Sequence, residues 1–426
     1  MTIVVFLVSL IGAMAIGIPI AYALLLSGVA LMFHLDLFNT QILAQNLING
    51  ADSFPLLAVP FFMLAGELMN AGGLSQRIVK LAMLLVGHRR GGLGYVTIVA
   101  GCLLASMSGS AVADTAALAA LLLPMMIRAG HDRRHAGGLI ASTGIIAPVI
   151  PPSIAMIVFG VTANVSISRL FLGGIVPGLL MGVSIAIAWW WLARRENAEV
   201  APRASAKERL VALREAGWAL MLPVIVLVGL RTGVFTPTEA AVVAAVYALL
   251  IATLVYRQLT LRQLYDAMAR SAVTTAIVMF LVAAATVVAW LITVADIPNA
   301  MIAMLKPVMD NPTLLLIAIM VLIFAVGTAM DMTPTILIMA PILMPVIKAA
   351  GIDPVYFGVL FIVNNSIGLI TPPVGTVLNV VAGVSRISME DLMKGVWPFL
   401  LAELVVLFLM VLFPPLVTWP ARLIGG

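Results

Sequence analysis

Charge is scarce in this sequence: Asp, Glu, Lys and Arg make up 10% of the 426 residues, while 63% are hydrophobic. A soluble domain carries roughly a quarter charged residues, so most of this chain has no means of building a water-facing surface. An all-α, polytopic membrane protein is expected. The single cysteine, Cys102, excludes an internal disulfide, and its setting "VAGCLLAS" reads as that of a small packed residue. The start "MTIVVFLVSLIGAMAIGIPIAYALLL" lacks the basic n-region and processing site of a cleaved leader and reads as a retained first span. There is no H-E-x-x-H, and His34, His88, His131 and His135 fall near expected loop ends. No G-x-x-x-x-G-K-[ST] phosphate loop occurs either, so ATP use has no motif to rest on. The net charge of +5 calls for no nucleic-acid partner, because the basic residues gather in particular loops.

Runs long enough for the ~20-residue span length occur near 3–33, 53–70, 136–163, 168–193, 216–231, 237–256, 271–296, 354–385 and 396–418. Segment 74–87 is short and carries Arg77 and Lys80, so crossing and lying in the interface are both open to it. Regions 92–128 and 312–349 are interrupted by "SMSGSAVADT" and "VGTAMDMTPT" and are expected to be re-entrant hairpins. With the N-terminus outside and 74–87 counted as a crossing, only Arg169, Arg231, Lys306, Lys348 and Arg422 of the 23 basic residues lie outside. This satisfies the positive-inside rule, and "WWWLARR" supplies an aromatic belt before two cytoplasmic arginines. Residues 1–195 then form one half, 196–215 a cytoplasmic linker and 216–426 a second half.

Prolines sit where unbroken helix is expected, in "IIAPVIPPSIAM" and "GLITPPVGTVLN". Each removes an intrahelical hydrogen bond, and in hydrocarbon the freed carbonyl has no water to turn to, so such breaks must be buried in protein or line a wet cavity. A shift of 221 residues superposes Pro124 on Pro345, Gly130 on Gly351, Pro151 and Pro152 on Pro372 and Pro373, Gly174 on Gly395, and Pro177 on Pro398. Just upstream, "GSAVADT" matches "GTAMDMT" at a shift of 217 to 218. Duplication follows. Five crossings per half is an odd number, which inverts the second half, and inverted repeats whose broken helices meet at midplane are the architecture of secondary transporters.

Four breaks are therefore expected to carry the chemistry. Ser106, Ser108, Gly109 and Ser110 form the first hairpin tip, with Gly327, Thr328 and Thr333 at the second. Pro148, Pro151, Pro152 and Ser153 form the first helix break, with Thr371, Pro372, Pro373, Gly375 and Thr376 at the second. Unwound carbonyls and hydroxyls make a hard-oxygen cage for an alkali cation, and half-helix N-termini offer N–H groups and a positive dipole end to a carboxylate. Sodium and an organic anion fit together there. The bland reading is that small residues merely allow close helix packing; four matching breaks favour function. Asp114 and Asp331 follow the two tips. An ionisable residue at membrane depth is a functional hypothesis by default, and tip support by capping, proton relay and cation binding are all open to them. Capping is favoured, since Asp suits a helix start. Glu67 is either intramembrane or near its helix end, and Glu239 reads as part of a capping arrangement with Thr236. For Asn364 and Asn365, helix bridging and substrate contact are equally open, while the 25 methionines read as packing.

At these residues the sequence resembles the large membrane subunit of tripartite ATP-independent periplasmic (TRAP) transporters. The likeness covers essentially the whole chain, through "GADSFPLLAVPFFMLAGELMNAGGLSQRI", "SGSAVADTAA", "GIIAPVIPPS", "VFTPTEAAVVAA", "MDMTPTILI" and "GLITPPVGTVLNVV" in order. It is nearest in character to permeases of the diketogulonate, or sugar-acid, type. The resemblance implies a sodium-coupled, elevator-type carrier in the bacterial inner membrane. It also implies no further cofactor, a small four-helix membrane partner subunit, and a periplasmic solute-binding protein that delivers an organic acid such as a C4-dicarboxylate, sialic acid or sugar acid. Two rivals remain. A sodium–carboxylate symporter that needs no binding protein would share the repeats and would work without a periplasmic partner. An intramembrane protease would use Asp114 and Asp331 as a dyad, or Ser108 with Ser110 as nucleophile.

Overall fold

The computed structural model describes residues 2–196 and 198–424; the side chains of Ile3 and of residues 421–424, Arg422 among them, lie outside the description. Every regular element among the described residues is helical. The first half contains α1 (Thr2–Ala15), α2 (Ile20–His34), α3 (Thr40–Ala51), α4 (Ala58–Ala71), α5 (Leu74–Val86), α6 (Gly92–Ser108), α7 (Ala111–Arg128), α8 (Arg133–Gly144), α9 (Ile154–Ala163) and α10 (Ile167–Ala193). The second contains α11 (Ala206–Arg231), α12 (Pro237–Leu250), α13 (Leu261–Val294), α14 (Ile297–Met309), α15 (Pro312–Ala329), α16 (Met332–Ala349), α17 (Pro354–Gly368), α18 (Thr376–Ser385), α19 (Met389–Leu412) and α20 (Pro415–Ile424). Among the described residues nine helical stretches are long and apolar enough to cross a membrane.

The crossings differ from the sequence expectation in two places. Residues 3–33 are not one span: the chain turns at Gly17, with φ +85, and α1 and α2 lie against one another. Helices α11 and α12 repeat the arrangement, with Gly233 at φ +70 in the turn and Thr236 and Glu239 forming a capping box at the start of α12. Conversely, α5 is not among the helices long and apolar enough to cross. Its 13 residues reach about 20 Å, short of a ~30 Å hydrocarbon core, and it runs antiparallel to the polar first turns of α11. Arg77 Nη1 meets Gln258 Oε1 at 3.1 Å, Lys80 Nζ meets Glu215 Oε2 at 2.7 Å, and Leu81 packs on Ala212 and Ala216. By the positive-inside reading of the sequence these partners lie at the cytoplasmic end of the molecule. Helices α1, of 14 residues, and α2, of 15, are likewise shorter than the hydrocarbon core, so five crossings per half remains the reading of the sequence.

The linker is also shorter than expected. Ser205 and Glu208 form a capping box that starts α11 at Ala206, so residues 206–215 are helical rather than linker.

The internal correspondence holds at the level of helix ends. Helices α6 and α15 end at Ser108 and Ala329, α7 and α16 span Ala111–Arg128 and Met332–Ala349, and α8 and α17 begin at Arg133 and Pro354, all 221 residues apart. Asp132 and Asp353 cap the latter pair alike, each side chain accepting two backbone N–H groups. The register at the tips is therefore 221, not 217 to 218. Ser110 corresponds to Asp331 and Asp114 to Thr335, and Gly327 lies inside α15 whereas Gly109 is the turn itself.

The helices group into what we call a frame and a core, joined through α5–α6 and α13–α16 by one continuous set of buried residues. In the frame α4 packs on α12, and the 34-residue α13 packs on α2, α3 and α4. In the core the halves interlock crosswise: α7 lies against α18, α9 against α16, α8 against α19 and α10 against α17. The hairpin arm of each repeat thus touches the half-helix that follows the other repeat's break.

Candidate ion and substrate site at four helix breaks

Each hairpin closes through a two-residue tip. At the first, Gly109 takes φ +62, and a Cβ there would lie 2.4 Å from the carbonyl oxygen of Pro152; only glycine lets the tip sit on the proline break. Ser110 is the cap of α7, accepting the Ala113 N–H at 3.4 Å. Ser108 Oγ donates to Asp114 Oδ1 at 2.5 Å and accepts the Ser110 N–H at 3.2 Å. Asp114 is buried, and its Oδ2 has no partner in the protein. It therefore ties the two arms together without capping, which corrects the expectation that it caps α7.

The first break unwinds residues 145–153. Ser153 Oγ donates to the Pro148 carbonyl at 2.5 Å and accepts the Met156 N–H at 3.2 Å, capping α9. Pro148, Pro151, Pro152 and Ser153 are all buried. Ser106 turns back on its own helix, donating to the Leu103 carbonyl at 2.6 Å.

The second tip differs in chemistry. Asp331 occupies the cap position of α16, yet its side chain accepts no helix N–H; Oδ1 instead accepts from Thr376 Oγ1 at 3.4 Å. Here too the capping expectation fails, and the carboxylate links tip to break. The Thr328 carbonyl accepts the Val374 N–H at 3.1 Å, a second link between them. Thr328 Oγ1 and Thr371 Oγ1 donate to carbonyls of their own helices, Ala325 and Ile367. Pro372 and Pro373 are exposed, Gly375 is buried with φ +50, and Thr333 is half-buried in the first turn of α16. The two aspartates bond to different partners, each on its own tip.

Gly109 links the start of α7 to that of α9 and Thr376 links α18 to the start of α16, while α7 packs on α18 and α9 on α16. A helix N-terminus offers N–H groups and a positive dipole end to an anion.

The structure adds residues that the breaks alone did not mark. Thr115 Oγ1, Ser142 Oγ and Thr143 Oγ1 in the first half are buried without a partner, as are Asn364 Oδ1, Asn365 Oδ1 and Ser366 Oγ in the second. Thr115 Oγ1 sits 1.7 Å from where a Cβ on Gly144 would be, against the turn that leads into the break. The asparagines bridge helices through their amide nitrogens, Asn364 Nδ2 to the Met320 carbonyl at 2.6 Å and Asn365 Nδ2 to that of Met332 at 3.2 Å. Their oxygens are left over. A buried acceptor without a donor is costly and calls for explanation. Thr143 and Asn364 stand 221 residues apart, a signal present in the sequence but invisible until burial is known.

The family model for the DctM component of tripartite ATP-independent periplasmic transporters matches residues 7–416. This chain belongs to that family. The TRAP large permease is 55% identical over all of both chains to the Escherichia coli protein named 2,3-diketo-L-gulonate TRAP transporter large permease. It is 39% identical to the sialic acid TRAP transporter large permease of Vibrio cholerae, over 95% of this chain and 94% of that one. Its fold is shared with the crystal structure of the Alcanivorax borkumensis YdaH transporter, at a TM-score of 0.65 and 18% identity, over 89% of this chain and 88% of that one. The TRAP permease is thus a multi-pass transport protein of the bacterial inner membrane.

Proposed function

We propose that this permease takes up a small organic acid, of the sugar-acid class, in symport with sodium, as the core moves against the frame in an elevator-type step. The observation that carries the proposal is the linking of each hairpin tip to a helix break, together with two sets of unpartnered buried oxygens. The N-termini, with Ser110 and Thr376, suit the substrate's carboxylate and hydroxyls. Asp114, Thr115 and Thr143 in one half, and Asn364, Asn365 and Ser366 in the other, would hold sodium, which supplies positive charge beside the substrate's carboxylate. The division into frame and core supports movement of the whole site as a unit. The likeness to the diketogulonate permease supports the sugar-acid class, and membership of a tripartite family supports work with a small four-helix subunit and a periplasmic binding protein.

The test is uptake of 2,3-diketo-L-gulonate into proteoliposomes holding this chain with its small subunit, supplied with the binding protein. Uptake is expected to need an inward sodium gradient and no ATP. Undiminished uptake in sodium-free buffer refutes sodium coupling. Uptake without the binding protein would favour the independent symporter.

A further inference from the structure

Away from the transport site, a cavity of about 700 Å³ opens at the cytoplasmic end of the frame between α5, the first half of α11 and the turn after α12. Three cations, Arg77, Lys80 and Arg214, line it against one carboxylate, Glu215. Lys80 is held by Glu215 at 2.7 Å. Among the described residues neither Arg77 nor Arg214 has a carboxylate partner, so the cavity keeps two uncompensated charges. Arg77 is fixed in place: its guanidinium lies 3.7 Å over the ring of Tyr256, and Nη1 donates to the Gly73 carbonyl at 2.9 Å and to Gln258 at 3.1 Å. A cation held by neutral groups remains available to an anion.

The remaining wall is apolar and faces outward. Val211, Trp218 and Val255 line the cavity and are exposed, and Leu254 beside them is exposed as well. A soluble anion has no use for this surface, whereas a molecule with a phosphate head and an acyl tail fits both parts. The positive-inside reading puts this end of the molecule on the cytoplasmic side, where basic and aromatic side chains gather at headgroup level.

We propose that this cavity binds the headgroup phosphate of an anionic phospholipid of the inner leaflet, clamped by Arg77 and Arg214, with its acyl chains along Val211, Trp218 and Val255. Because α5 leads directly into the first hairpin, the lipid would pin the hinge between frame and core. The inference is independent of the transported substrate.

The test uses the purified full-length chain, alone and in complex with the small subunit, titrated with phosphatidylglycerol or phosphatidylcholine, with retained lipid measured by native mass spectrometry and melting temperature alongside. Phosphatidylglycerol is expected to bind and stabilise both preparations, with phosphatidylcholine far weaker. At about 1 kcal/mol per cation near the surface, Arg77→Gln and Arg214→Gln should each weaken binding about fivefold. Glu215→Gln removes the opposing charge and should tighten it, which keeps the test informative even if an arginine variant folds poorly. Equal binding of both lipids, or wild-type affinity in both arginine variants, overturns the proposal. Equal protection by inorganic phosphate would make the ligand a soluble anion and overturn the lipid assignment. Loss of binding in the complex would mean that the small subunit covers the cavity, which overturns it also.

Discussion

Thr115 and Ser366 show how a single oxygen can be read. Both hydroxyls are buried with no partner in the protein, so removing them takes no hydrogen bond from the fold, and an apolar replacement of similar shape relieves an unsatisfied group. If these oxygens serve sodium, the cost appears only there. Thr115→Val and Ser366→Ala should leave the melting temperature in sodium-free buffer unchanged or raised. Each should weaken the half-saturating sodium concentration for uptake about tenfold, matching the ~1.5 kcal/mol of one contact to a charge. Unaltered sodium dependence in both variants would make the oxygens packing groups. Asp114 differs, because it also receives the Ser108 hydroxyl, and its loss would disturb tip and ion together.

At the scale of elements, the linker between the halves is fastened rather than free. Glu196 Oε2 meets His131 Nδ1 at 2.6 Å and Oε1 meets His135 Nδ1 at 3.2 Å, while Arg90 Nη2 donates to the Arg194 carbonyl at 2.9 Å and the Glu199 N–H to that of Ala129 at 2.8 Å. The linker is thereby tied to the turn between α7 and α8. Burial works to raise the Glu196 pKa, but hydrogen bonds and charge from the two histidines outweigh it and hold the carboxyl at about 2, against an ordinary 4.5. The folded value is depressed, so the stabilisation is complete above about 4.5 and is lost as pH falls through 2. Glu196→Gln should therefore cost about 1–2 kcal/mol at pH 6, after allowance for partial exposure. Comparing thermal melts at pH 6 and pH 3 checks this: the gap between wild type and variant should shrink markedly at the lower pH. A constant gap would mean that the carboxylate charge contributes nothing.

The whole molecule is governed by its inversion. On the sequence reading each hairpin returns to the side from which it entered, and five crossings per half place those sides opposite. With Cys102 replaced by Ala, Arg90→Cys and Arg133→Cys should react with an impermeant thiol reagent only from the cytoplasm, and Asp310→Cys and Lys348→Cys only from the periplasm. All four positions are exposed, so failure to label would not reflect burial. If Arg90→Cys and Arg133→Cys label from opposite sides, α6 and α7 together make an ordinary crossing and the inverted architecture falls.

By itself the sequence determined the class, the duplication and the places of the four breaks, because prolines and glycines dictate backbone geometry wherever they occur, and hydrocarbon forces every other segment into helix. It also marked the ends of both hairpins, through the polar interruption in each apolar run. Contacts between distant segments decided the rest. Apolarity alone did not separate one long span from the α1–α2 pair, and a short basic amphipathic helix such as α5 has the same composition whether it crosses or lies flat. Similar letters around the tips suggested a register of 217 to 218, but helix ends align at 221 because packing acts on backbone position and not on residue identity. Asp114 and Asp331 look alike in the sequence, yet one ties two arms and the other ties tip to break. Which oxygens are left unpartnered is likewise a property of the folded chain, since burial and the absence of a donor arise only when α7, α8, α16 and α17 have been brought together.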